Sequence, residues 1–169
     1  MDILTIIGQV FGIIAVALGF LSFQMKEQKP LLIVQTATSL AFVIHYGLIG
    51  AYSGMLINFL AMFRNLAYYH KDKPLFSGWK SPIFFAILIS LAGLLSWQGY
   101  YSIFVILGVG INTLCLAFTD TQKTRASILV SSPLVLIYDA FVMSIGGMIY
   151  ESVVIISSII GILRFRRKK

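Results

Sequence analysis

A chain of 169 residues that is 59% hydrophobic and only 11% charged carries more apolar surface than a soluble core of this length can hide. Soluble domains hold roughly 25% charged residues, so the composition predicts an all-α integral membrane protein. The net charge of +7 does not point to nucleic acid, because the basic residues cluster just beyond apolar segments, as at a cytoplasmic membrane face.

A helix needs about 20 apolar residues to cross the hydrocarbon. Seven segments qualify in chain order: 3–24, 31–50, 54–71, 81–97, 100–118, 126–146 and 148–166. The opening Met1-Asp2 lacks the basic start of a signal peptide, so none is expected. Three divisions are tight and are placed at Gly50–Gly54, Gln98–Gly99 and Gly146–Gly147, since glycine permits sharp turns. Trp79, Trp97, Tyr100 and Tyr101 fall near segment ends, where amphipathic rings favour the interface.

Charge tests the count of seven independently. Lys26, Lys29, Lys71, Lys73, Lys80, Lys123, Arg125, Arg166, Arg167, Lys168 and Lys169 all fall on one side, and the tight-turn side has no Lys or Arg. The positive-inside rule then puts the N-terminus outside and the C-terminus in the cytoplasm of an inner membrane.

Sliding the chain by 93 residues brings Ile44 onto Ile137, Tyr46 onto Asp139, Gly54 onto Gly147, Met55 onto Met148 and Asn58 onto Glu151. Segments one to three and five to seven share one order of basic loop, glycine turn and basic end. The expected layout is two parallel three-helix bundles joined by a linker helix (3+1+3), divided as 1–71, 72–99 and 100–169. An odd linker lets both triplets start outside, a transporter layout with its site between the repeats.

Intramembrane polar groups normally face a bundle or cavity. Asp139, placed near the middle of segment six, is the leading one, with Ser132 seven residues earlier; Ser39 and Tyr46 share that spacing in segment two. Asn58 and Asn65 in segment three face Glu151 and Ser158 in segment seven as counterparts. The expected solute pathway is His45, Tyr46, Asn58, Asn65, Tyr138, Asp139 and Ser158. Glu151, Arg64 and Asn112 are either pathway or structural: Glu151 near the outer end is able to snorkel, and Arg64 to reach the headgroups. Gln9 is a weaker candidate of the same sort. Each has a plainer reading too, His45 as a donor to a backbone carbonyl or serine and the asparagines as interhelical glue. The Gly8–Gly12 spacing suits close helix packing. Cys115, the single cysteine, reads as a packing residue, and no phosphate loop, paired cysteine or zinc motif is present. No catalytic set, metal or cofactor is therefore expected.

The stretches QVFGIIAVALGFLSF (9–23), HYGLIGAYSGMLINFLAMFRN (45–65) and SIGGMIYESVVIISSIIGILRFRRKK (144–169) resemble the YgjV-type bacterial inner-membrane protein family over nearly the whole chain. That family is similar to the PQ-loop superfamily, which includes the SWEET sugar transporters. The resemblance implies the same 3+1+3 layout and an asparagine on the third helix of each triplet in a sugar site. Asn58 or Asn65 matches in the first half, whereas Glu151 and Ser158 break the pair in the second, and the Pro-Gln signature is absent. These departures count against sugar uniport. The function expected is a multipass transporter of a small polar solute by alternating access, with His45 or Asp139 carrying a coupling proton. The alternative is a membrane protein with a partner-binding or assembly role. Expected partners are the lipid bilayer, a small polar solute and a second copy of the chain.

Overall fold

The computed structural model describes residues 2–24, 28–71, 73–74, 76–116 and 121–166. The basic residues Lys26, Arg167, Lys168 and Lys169 lie outside them, as do the side chains of Lys123, Arg125 and Arg166. The described residues form seven helices and no strand: α1 (Ile3–Gln24), α2 (Gln28–Leu48), α3 (Tyr52–Tyr69), α4 (Lys80–Leu95), α5 (Ser102–Cys115), α6 (Thr121–Phe141) and α7 (Ile145–Arg166). Two stretches, Ile3–Ser22 and Lys29–Leu48, are long and apolar enough to cross a bilayer by length and composition. Asp2 starts α1 by accepting hydrogen bonds from the Thr5 hydroxyl and the Thr5 N–H at 2.5 and 2.9 Å. These hold its carboxyl below the ordinary carboxylate range.

Polarity is inverted relative to a water-soluble fold. Ile3, Phe84, Leu95 and Leu163 are exposed, while His45, Arg64, Asn65, Asp139 and Glu151 are buried. An apolar exterior around polar groups suits a lipid medium, where interior polar groups must satisfy one another.

Every helix packs on its neighbour in sequence; α3 also meets α5 beside α4, and α1 closes the ring on α7. Near the turns, Ala15, Phe42, Tyr46, Ile57, Ile106 and Tyr138 form one core, and Leu32, Ala67, Tyr68 and Phe85 form another toward the basic ends. Close approach needs small residues. A Cβ on Gly12 would meet His45 Nδ1 at 3.0 Å and Gly146 Cα at 3.1 Å, and a Cβ on Gly146 would overlap the Gly12 backbone.

The turn after α6 differs from the sequence expectation. It lies at Val142–Ser144, and Gly146 and Gly147 belong to the first turn of α7. Those glycines are small for packing: Gly146 against α1, and Gly147 against the Asp139 carboxyl, which a Cβ would meet at 2.5 Å. The left-handed residue is Met143 (φ 54°), and its counterpart in the turn after α2 is Gly50 (φ 76°). Both turns carry the same hydrogen bonds. Ala51 N–H donates to the Tyr46 carbonyl at 2.8 Å and Gly50 N–H to Gly47 at 3.3 Å; Ser144 N–H donates to Asp139 at 2.9 Å and Met143 N–H to Ala140 at 3.4 Å. Each is a Schellman C-cap.

Two substitutions test this account. The Met143 side chain is largely exposed, so Met143→Gly relieves left-handed strain with little packing loss and should raise stability by up to about 1 kcal/mol. Gly146→Ala should lower it by about 1–3 kcal/mol by forcing α1 from α7. Thermal unfolding in detergent reads both.

Candidate functional site

A cavity of about 120 Å³ lies between the two cores, lined by α2, α3, α5, α6 and α7. Gln35, Thr38, Ser39 and Tyr46 enter from α2, and Asn58, Arg64 and Asn65 from α3. Asn112 comes from α5, Ser131 and Ser132 from α6, and Tyr150 and Glu151 from α7. Thr38 and Ser39 stand 93 residues before Ser131 and Ser132, as Asn58 does before Glu151.

Among the expected pathway residues, Tyr46, Asn58 and Asn65 line this cavity, and so do Arg64, Asn112 and Glu151. His45, Tyr138, Asp139 and Ser158 do not, although all four are buried. Arg64 does not reach the headgroups. It is 5% exposed; its Nε and Nη2 donate to Asn65 Oδ1 at 3.2 and 3.0 Å, and its Nη1 to Thr113 Oγ1 at 2.8 Å. Glu151 does not snorkel outward; it is 9% exposed and faces the cavity. Asn58 Nδ2 donates to the Gly54 carbonyl at 2.9 Å, and Asn65 Nδ2 to Ser39 Oγ at 3.5 Å.

Asp139 lies in the last turn of α6 rather than mid-helix. Its Oδ1 accepts from Tyr46 Oη at 2.6 Å across 93 residues, and its Oδ2 is buried without a partner. His45 and Asp139 do not bond to each other; Ser144 stands near both.

Around this pair, each half supports the start of a helix in the other. Ser144 sits at the N-cap of α7 and its hydroxyl accepts from Gly147 N–H at 3.1 Å. His45 Nε2 contacts the same hydroxyl at 2.7 Å, and His45 Nδ1 lies 2.7 Å from the Gly8 carbonyl. A carbonyl only accepts, so Nδ1 carries the proton toward Gly8, and in the neutral ring Nε2 accepts from Ser144. In the other half the N-cap residue is Ala51, with no hydroxyl. Tyr138, the counterpart of His45, supplies one: its Oη accepts from Gly54 N–H at 2.8 Å. A tyrosine over an alanine thus does what a histidine and a serine do together.

Sequence reasoning missed two glutamine clamps. Gln9 donates from Nε2 to the Met143 carbonyl at 2.9 Å and accepts at Oε1 from Ile145 N–H at 3.1 Å. Gln98 does the same for the first turn, donating to the Gly50 carbonyl at 2.8 Å and accepting from Ser53 N–H at 3.3 Å. Only the amides themselves were readable, since each clamps a turn distant from it in sequence. With these clamps the turn side is closed by His45, Ser53, Tyr138, Asp139 and Ser144, all fully buried.

Residues 6–169 match the family model Imp-YgjV, described as bacterial inner membrane protein. The chain belongs to that family. Comparison with curated proteins and with solved structures returned no match. For this Imp-YgjV member the inner membrane agrees with the inverted polarity of the fold.

The capping exchange predicts a non-additive pair. Ser144→Ala alone leaves the Gly147 N–H uncapped, a loss of about 1–3 kcal/mol. His45→Tyr alone crowds the Ser144 hydroxyl. Together they rebuild the Tyr138–Ala51 arrangement, so a double-mutant cycle on unfolding should show a favourable coupling of about 1 kcal/mol or more.

Proposed function

We propose that this inner-membrane protein moves a small polar solute by alternating access between two parallel three-helix bundles, α1–α3 and α5–α7, with α4 as the linker. The observation that carries the reading is the polar cavity between the bundles, closed on one side by crossed contacts and bounded on the other by half-buried Gln35 and Asn112. The helix adjacency supports the layout. A rotation that takes α1 to α5 and α3 to α7 exchanges the α1–α7 contact with the α3–α5 contact. The Schellman turns and glutamine clamps add to that support. With the basic ends cytoplasmic, the N-terminus lies outside and the cavity faces inward, sealed at the outer turns.

Asp139 is the proposed carrier of a coupling proton. Its Oδ2 has no partner, and Tyr46, which holds Oδ1, also lines the cavity, so one hydroxyl connects the acid to the solute site. His45 is then a positioning residue for Ser144.

Proteoliposomes containing the purified chain should take up one class among labelled sugars, amino acids and nucleosides. Asp139→Asn should insert normally and lose the response of uptake to an imposed pH gradient. Uptake with an unchanged gradient response removes Asp139 from the mechanism. No uptake of any class, with polar substitutions shifting only stability or pull-downs, favours the partner-binding role instead.

A further inference from the structure

Two ionisable side chains of opposite sign line the cavity, Arg64 from α3 and Glu151 from α7; its other lining residues carry no formal charge. Both are more than nine-tenths buried. Arg64 is bonded only to neutral groups, the Asn65 amide oxygen and the Thr113 hydroxyl. A guanidinium has five N–H donors and these three bonds use three of them, which leaves two. Glu151 is counterpart to Asn58, so a carboxyl replaces an amide on one wall only. Tyr150 lies within electrostatic reach of both charges.

We propose that the cavity binds a small zwitterion, an α-amino acid or its close analogue, with the carboxylate on the Arg64 guanidinium and the ammonium on Glu151. The proposal rests on the transport reading of the same cavity. Burying a cation and an acid apart from each other is costly unless something of opposite sign meets each. A neutral sugar offers only dipoles, which Ser39, Asn58 and Asn65 serve without any charge. An anion satisfies Arg64 and is repelled by Glu151, and a cation meets the reverse. A zwitterion satisfies both ends, and the planar guanidinium matches a carboxylate with parallel N–H bonds. A cavity of about 120 Å³ has room for several waters, hence for a solute of few heavy atoms.

The test is titration calorimetry on the full chain in detergent with glycine, L-alanine and L-serine, beside propionate, propylamine and glucose. At least one amino acid should bind, and the fragments and glucose should bind at least tenfold more weakly. Arg64→Gln and Glu151→Gln should each weaken the amino acid at least tenfold. Arg64→Lys, which keeps the charge and loses the planar fork, serves if Arg64→Gln does not fold. Propionate binding as tightly as L-alanine, or glucose binding in place of all three amino acids, overturns the zwitterion. Uptake by the same proteoliposomes separates the two readings. Uptake of a sugar or nucleoside but no amino acid overturns the substrate class and leaves transport standing. Amino-acid binding without uptake keeps the zwitterion site and removes transport. Neither binding nor uptake removes both.

Discussion

The Tyr46–Asp139 hydrogen bond joins two residues that are each other's counterparts at a spacing of 93. Two equivalent positions can touch only where the two halves meet face to face. That contact therefore fixes how α2 and α6 approach, and the surrounding features follow from it. The residue before each member, His45 or Tyr138, is directed at the turn of the opposite half. The glycine eight residues after each must lack a Cβ, at Gly54 because Tyr138 and Tyr46 occupy that space and at Gly147 because Asp139 does. A polar pair at the centre also lets the wall below it be polar, since the helices that hold the pair line the cavity as well.

Helix termini explain why so many polar side chains gather at the turn side. The first N–H groups of α3 and α7 lack intrahelical partners. Where the capping residues are buried, as Ser53, Tyr138 and Ser144 are, water is excluded, and leaving such donors bare costs more than making their bonds gains. Gln9, Gln98, Ser144 and Tyr138 meet this need, each from a different element. Much of what looks like a pathway in the sequence is thus capping. The cavity polar set differs: it lines an open space, and where it bonds backbone, as Asn58 does to the Gly54 carbonyl, it does so within its own helix rather than at a helix start.

The helices were legible because apolar length is a direct requirement of the bilayer, and the basic residues of one side marked the same loops. The tight turn at 142–144 was not, because Gly146–Gly147 were read as the turn where they serve close approach, while Met143 takes the left-handed backbone angle. Arg64 and Glu151 were open between a pathway and an interfacial place, the latter from their distance to a helix end. Their inward direction depends on which face α3 and α7 turn to their neighbours, a rotation that a mostly apolar sequence leaves underdetermined. Tyr138 and Ser158 matched the polar spacing of the site residues without lining it, since spacing fixes a face and not a depth. Gln35, Thr38 and Ser131 were readable as polar residues on or beside the stripe of Ser39 and Ser132.

The two ends of the molecule differ in a way that bears on movement. At the turn side the halves are joined by directed bonds of 2.6–3.1 Å through Tyr46, Tyr138, His45 and Gln9, and Gln98 after α4 ties the linker to the first turn. Toward the basic ends, beside the cavity, Arg64 and Tyr68 reach across to Thr113. Opening the turn side in an alternating-access cycle means exchanging the first set for other partners or water, and the full set is too large to lose at once. Asp139 is the member whose second oxygen, Oδ2, is buried without a hydrogen bond, and Ser144, the cap of α7, stands beside the same carboxyl. Tyr46 belongs both to this seal, through its bond to Asp139, and to the cavity lining, and Gly147 lines the cavity while packing on the Asp139 carboxyl, so the seal and the cavity share residues.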